Sequence, residues 1–99
     1  MQITVKKPTE AEKQFMQKQP TWSCGVSEFD WYYDSEETCL LIEGEVEVIP
    51  TPTNLRFAGD DGDDGGSVRF GAGDYVVFPR GLECVWKVTK PVRKHYIFR

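Results

Sequence analysis

The chain has 99 residues, 39% hydrophobic and 13% aromatic, with a formal net charge of −4. That length reads as one domain, residues 1–99, which buries roughly 60–70% of its unfolded surface around a single core. No apolar run approaches the roughly 20 residues of a membrane span, and the start MQITVKKPTEAEKQ lacks the apolar region of a secretory signal. The charge is unevenly spread. Residues 28–64 hold twelve acids and one base, Arg56, whereas residues 80–99 hold six bases and one acid, Glu83. Apart from the adjacent Arg93 and Lys94, those bases stand singly, as on the solvent faces of strands. With no basic patch interleaved with aromatics, nucleic-acid binding is disfavoured. The three cysteines, Cys24, Cys39 and Cys84, form no CxxC and leave an odd count. They argue against a disulfide framework and a zinc ribbon, and for the reducing cytoplasm.

In chain order, Ile3 to Lys6 alternates apolar and polar residues and predicts a short strand, ended by Pro8. Thr9 and Glu12 have the form of a capping box. They open a short helix over Glu10 to Lys18, anchored by Phe15 and Met16 and closed by Pro20. Strands begin again at Trp22 to Val26. In the aromatic run Glu28 to Tyr33, alternation places Phe29, Trp31 and Tyr33 on one face and Asp30, Tyr32 and Asp34 on the other. Glu37 to Ile42 and Glu45 to Ile49 read as two strands joined by a tight turn at Glu43-Gly44. Glu45 and Glu47 alternate with Val46 and Val48, one wet face and one dry. Residues 56–67, RFAGDDGDDGGS, read as a mobile hairpin tip. The acids there do not follow a calcium-loop pattern, because Gly65 and Ala72 stand where ligands belong. Val68 to Phe70, Tyr75 to Phe78, Cys84 to Val88 and Lys94 to Phe98 complete the strands, with turns at Gly71, Gly73-Asp74, Pro79-Arg80-Gly81 and Lys90-Pro91. Many short strands with glycine and proline turns predict an all-β sandwich or barrel.

Two glycine-framed stretches select among these. Gly25, Trp31, Tyr33, Glu37 and Gly44 have the spacing of the first motif of the cupin superfamily, which the chain resembles. Gly73, Pro79, Arg80, Gly81 and Cys84 resemble its second motif. The resemblance implies an RmlC-like double-stranded β-helix, a jelly-roll β-barrel, with one short N-terminal helix. In such barrels two histidines and an acid of the first motif share a metal with a histidine of the second. Here the corresponding residues are Trp31, Tyr33, Glu37 and Cys84, and Val88 stands where an asparagine is usual. The runs WSCGVSEFDWYYD, ETCLLIEGEVEV and FPRGLECVWKV resemble small cupins akin to the ureidoglycine aminohydrolase group, whose best-known enzyme is a two-cupin, manganese-dependent hydrolase. Its activity does not follow for a chain lacking the histidines.

The resemblance places Trp31, Tyr33, Glu37, Cys84 and Trp86 inside the barrel. The expected site is an aromatic pocket with Glu37 as polar anchor and Cys84 at its floor. Tryptophan's indole only donates, a tyrosine phenolate is costly, and one carboxylate with one thiolate is too few ligands for zinc. The expectation is therefore no metal and no cofactor, with a small-molecule ligand as partner and neither nucleic acid nor membrane. The alternative is a small cupin enzyme using Glu37 and Cys84, with no catalytic assignment made. His95, outside both motifs, reads as a satisfied or exposed histidine. Sheet edges and the apolar run Tyr96-Ile97-Phe98 suggest a homodimer.

Overall fold

Two long strands carry the architecture. In the computed structural model, which describes residues 3–51 and 67–99, β4 runs unbroken over Glu37–Pro50 and β7 over Glu83–Phe98. They pair antiparallel from Glu37↔Phe98 to Pro50↔Cys84. The shorter elements are β1 (Thr4–Lys6), α1 (Glu10–Met16), β2 (Thr21–Cys24), β3 (Ser27–Tyr32), β5 (Val68–Gly71) and β6 (Tyr75–Phe78). Each long strand changes neighbour halfway along. The first half of β4 lies beside β6, which carries β1 on its far side, and the second half lies beside β5. The first half of β7 lies beside β3 and the second beside β2. One half of the molecule thus has the order β1-β6-β4-β7-β2 and the other β5-β4-β7-β3. Cys39, Val76 and Val92 of the first pack in one core with Val48, Phe70 and Val88 of the second. The sheet is folded over on itself into an all-β barrel with one short helix, as the sequence predicts.

The fold-over corner corrects two expected turns. Gly44 does not close a hairpin. It lies within β4 at φ +101°, and the β4–β7 register shifts on either side of it. Lys90-Pro91 is likewise no turn but part of β7, and Lys90 pairs with Glu45. The two local anomalies face each other. A Cβ at Gly44 would stand 2.3 Å from Pro91 O and 2.5 Å from Val92 Cα. Proline has no N–H for a ladder and is tolerated at bulges, while glycine supplies the positive φ and the close approach. Residues that read as strand ends are therefore the means by which both strands bend without stopping.

The helix starts as expected. Glu12 N donates to Thr9 Oγ1, and Thr9 N donates to Glu12 Oε1. It ends at Met16 rather than Lys18. Only Met16 is an anchor, being fully buried, while Phe15 is 45% exposed. Helix α1 lies against β4 and β7. Leu40 alternates with core residues Cys39 and Leu41 yet is also buried, so both faces of β4 are covered there. The hairpin-tip reading of residues 56–67 falls outside the described residues, except for Ser67.

The corner gives the first prediction. Gly44→Ala should lose roughly 1–3 kcal/mol from backbone strain alone, with the contact at Pro91 adding to it. Gly25→Ala, where nothing lies within 4 Å of the added Cβ, should stay within about 0.5 kcal/mol of the parent. Urea denaturation compares them, and equal losses would show that the corner imposes no special constraint.

Candidate functional site

Tyr33 is the most constrained of the sequence-predicted site residues. Its backbone N donates to Leu82 O at 2.9 Å and its O accepts from Gly81 N at 2.6 Å, so the Pro79-Arg80-Gly81 turn pins it. Its ring stacks on Phe78 at 4.8 Å and 6°, and its hydroxyl accepts from Trp86 Nε1 at 3.0 Å. Trp86 projects from β7 to the same interior and lies parallel to Phe29 of β3 at 6.2 Å. Phe29 meets Trp31 edge-on, and Trp31 meets Tyr33 edge-on. The shared face expected for Phe29, Trp31 and Tyr33 is therefore present.

These rings enclose one side of a cavity of about 140 Å³. Its other wall comes from the opposite half of the barrel, with Glu37 of β4, Trp22 of β2, and Lys94, Tyr96 and Phe98 of β7. Depth is graded. Tyr33, Trp86, Glu37 and Lys94 are buried, whereas Trp31 at 46% exposure stands at the rim with Trp22 and Phe98. Four of the five expected residues thus meet around one space. Cys84 does not line it. It is buried beside Trp31, its register partner, and its Sγ donates to Trp31 O at 3.7 Å.

Lys94 was not expected here. The sequence reading set the bases of residues 80–99 on solvent faces, but the Lys94 side chain is only 6% exposed, and its Nζ lies 2.7 Å from Glu37 Oε2. The same Nζ donates to Cys39 Sγ at 3.4 Å and lies over the rings of Trp86 at 4.7 Å and Trp22 at 5.2 Å. A buried charge needs a partner. Glu37 has Lys94 as counter-ion, and indole faces add about 0.5–2 kcal/mol of attraction for each such cation contact. One signal could have found Lys94: Val92, Lys94, Tyr96 and Phe98 alternate, placing a single base on an otherwise apolar face. His95 behaves as expected, its Nδ1 lying 2.9 Å from Gln19 O.

Electrostatics separates the titratable groups. Burial, then the charge of Glu37, pushes the Cys84 thiol up to about 12. Burial also raises Cys39, against the pull of the Lys94 ammonium. Tyr33 is raised by burial first and Glu37 second, so it remains a neutral phenol.

The sequence model of the EutQ-like cupin domain matches residues 11–96. The chain belongs to the EutQ-like cupin family. A DUF861 family protein of Thermotoga maritima, TM1112, is 42% identical with a TM-score of 0.81, over 99% of this cupin and 100% of that chain. The EutQ protein of Clostridium difficile is 18% identical with a TM-score of 0.61, and this cupin covers 66% of its length. A putative ethanolamine utilization protein Q of Salmonella typhimurium is 16% identical with a TM-score of 0.62, over 97% of this cupin and 68% of that chain. The last two likenesses bear on the fold alone. No curated protein sequence matches the chain. No helix among the described residues is long and apolar enough to cross a membrane.

A metal of the kind many cupins hold does not fit these residues. Trp31 offers no lone pair, and the Tyr33 hydroxyl already accepts from Trp86. Glu37 is held by an ammonium, and Cys84 is a protonated thiol outside the cavity. Among the described residues no three His, Cys, Asp or Glu side chains gather as a metal site. A divalent cation would also meet the positive charge of Lys94.

At pH 8 iodoacetamide should modify Cys24, which is only partly buried, and spare Cys39 and Cys84 until unfolding. A raised folded pKa is a stability that falls as pH rises, because unfolding then releases the proton. For Cys84 the loss runs from its ordinary 9.0 to about 12. Peptide mass mapping that found Cys84 labelled as fast as Cys24 would contradict this. For the pair, Glu37→Gln and Lys94→Met should each cost about 3–5 kcal/mol, the usual penalty for orphaning a buried charge. The double substitution should cost well under their sum. Additive losses in denaturant titrations would mean that the two charges are not coupled.

Proposed function

We propose that this cupin binds a small organic molecule in the aromatic cavity between Trp31, Tyr33 and Trp86, with the Glu37–Lys94 pair as its polar end and no resident metal. The observation that carries the reading is a nearly water-free ion pair set in the wall of an aromatic cavity of about 140 Å³. A pair with a purely structural task is often matched or bettered by apolar residues of similar volume. A space ringed by aromatic side chains with a few convergent polar groups is the usual form of a ligand site. A volume near 150 Å³ accommodates a single benzene-sized ring.

The resemblance to the ureidoglycine aminohydrolase group rests on the quoted sequence runs. It supports an enzymatic variant of this reading in which Glu37 handles a proton. Cys84 has no favourable part in that variant, since its thiol is protonated at neutral pH and lies off the cavity.

All three tryptophans of the chain line the cavity, so intrinsic fluorescence reports on its contents. Elemental analysis of the protein as purified should find no stoichiometric metal, and after dialysis against a chelator the protein should still show saturable fluorescence changes with single-ring aromatic probes. About one metal per chain, lost on Glu37→Gln, would overturn the metal-free reading. Fluorescence that no single-ring probe alters would overturn the binding reading.

A further inference from the structure

Which small molecule the cavity prefers depends on the charges already in it. Among the described residues, Glu37 and Lys94 are the two charged members of its lining, and they cancel. A carboxylate offers about four acceptor positions, of which Lys94 takes one on Oε2. An ammonium offers three N–H donors, and among the described residues Glu37 Oε2 and Cys39 Sγ are the acceptors it meets. The dyad therefore presents a donor and an acceptor side by side at the edge of an apolar space. A ligand anion would take the spare N–H but sit against the Glu37 carboxylate. A ligand cation would take the carboxylate and the indole faces but sit against the Lys94 ammonium. Either brings a third, uncompensated charge into a partly dehydrated site.

We propose that the ligand is a small, flat, net-neutral molecule whose amide or lactam edge meets the Glu37–Lys94 pair, its carbonyl accepting from Lys94 and its N–H donating to Glu37. This rests on the reading of the cavity as a binding site. The aromatic walls favour a flat body through edge and face contacts. An amide edge satisfies both members of the pair without disturbing their balance of charge.

Three probes share one ring and differ in charge at the substituent: benzamide, benzoate and benzylamine. Titrated against tryptophan fluorescence at pH 7, benzamide should bind the unmutated protein at least about tenfold more tightly than the other two, a factor equivalent to roughly 1.4 kcal/mol. Benzoate or benzylamine binding as tightly as benzamide, or more so, overturns the assignment of ligand class and leaves the binding site standing. Failure of all three overturns the site and this assignment with it. Single substitutions, checked by circular dichroism for native fold, supply a second readout. Glu37→Gln leaves Lys94 as the one charge of the dyad and should turn the preference to benzoate, and Lys94→Met should turn it to benzylamine. A folded variant whose preference does not turn in that way would show that the pair is not what the ligand meets.

Discussion

Antiparallel pairing of β4 with β7 is the constraint from which the rest of this barrel follows. Fourteen residues of one strand and sixteen of the other run alongside each other through both halves of the molecule. Among the described residues, every other strand attaches to this ladder directly, or through β6 in the case of β1. The pair must therefore bend without breaking, and Gly44 opposite Pro91 is how it does so. Glycine accepts a backbone conformation closed to other residues, and proline sits where a ladder donor is not needed. The two irregularities are one feature of the sheet.

The same ladder brings Glu37 and Lys94 onto one interior face. Glu37 lies near the start of the barrel's first long strand and Lys94 near the end of its last, 57 residues apart in sequence. Around them, Trp22 and Trp86 place ring faces toward the ammonium, and Tyr33 and Trp86 satisfy each other's polar atoms. No buried side-chain nitrogen or oxygen among the described residues lacks a hydrogen-bond partner. The interior is thus polar where it is paired and apolar elsewhere, the condition under which buried charges persist.

Membership of the EutQ-like cupins supplies the barrel but not the chemistry of its interior. Where many cupins gather histidines on a metal, this chain sets an indole at the rim, a neutral phenol, a carboxylate held by lysine, and a buried thiol turned to the backbone of Trp31. The group that balances the acid is a side chain of the protein itself, Lys94. A barrel so arranged keeps a concave interior whose lining carries paired hydrogen-bonding groups at positions where many cupins carry histidines.

The sequence by itself determined much of this. Period-two alternation placed Phe29, Trp31 and Tyr33 on one face and Val46 and Val48 in the core. Thr9 and Glu12 announced the helix start, and the glycine-framed motifs pointed to the barrel and to Glu37 within it. These features are local or have fixed spacing, so the residues themselves carry them. Tertiary structure alone decided whether Gly44 and Lys90-Pro91 were turns or bends. Glycine and proline open the same conformations in both cases, and the outcome depends on whether a partner strand continues opposite. It also decided that Lys94 is buried and Cys84 lies off the cavity. A base among apolar residues is compatible with either face of a strand until a distant carboxylate arrives to neutralise it, and interior parity does not say which interior residues border a void. Pairing across 57 residues is a property of the folded ladder, and the electrostatics of the site exist only once that ladder has formed.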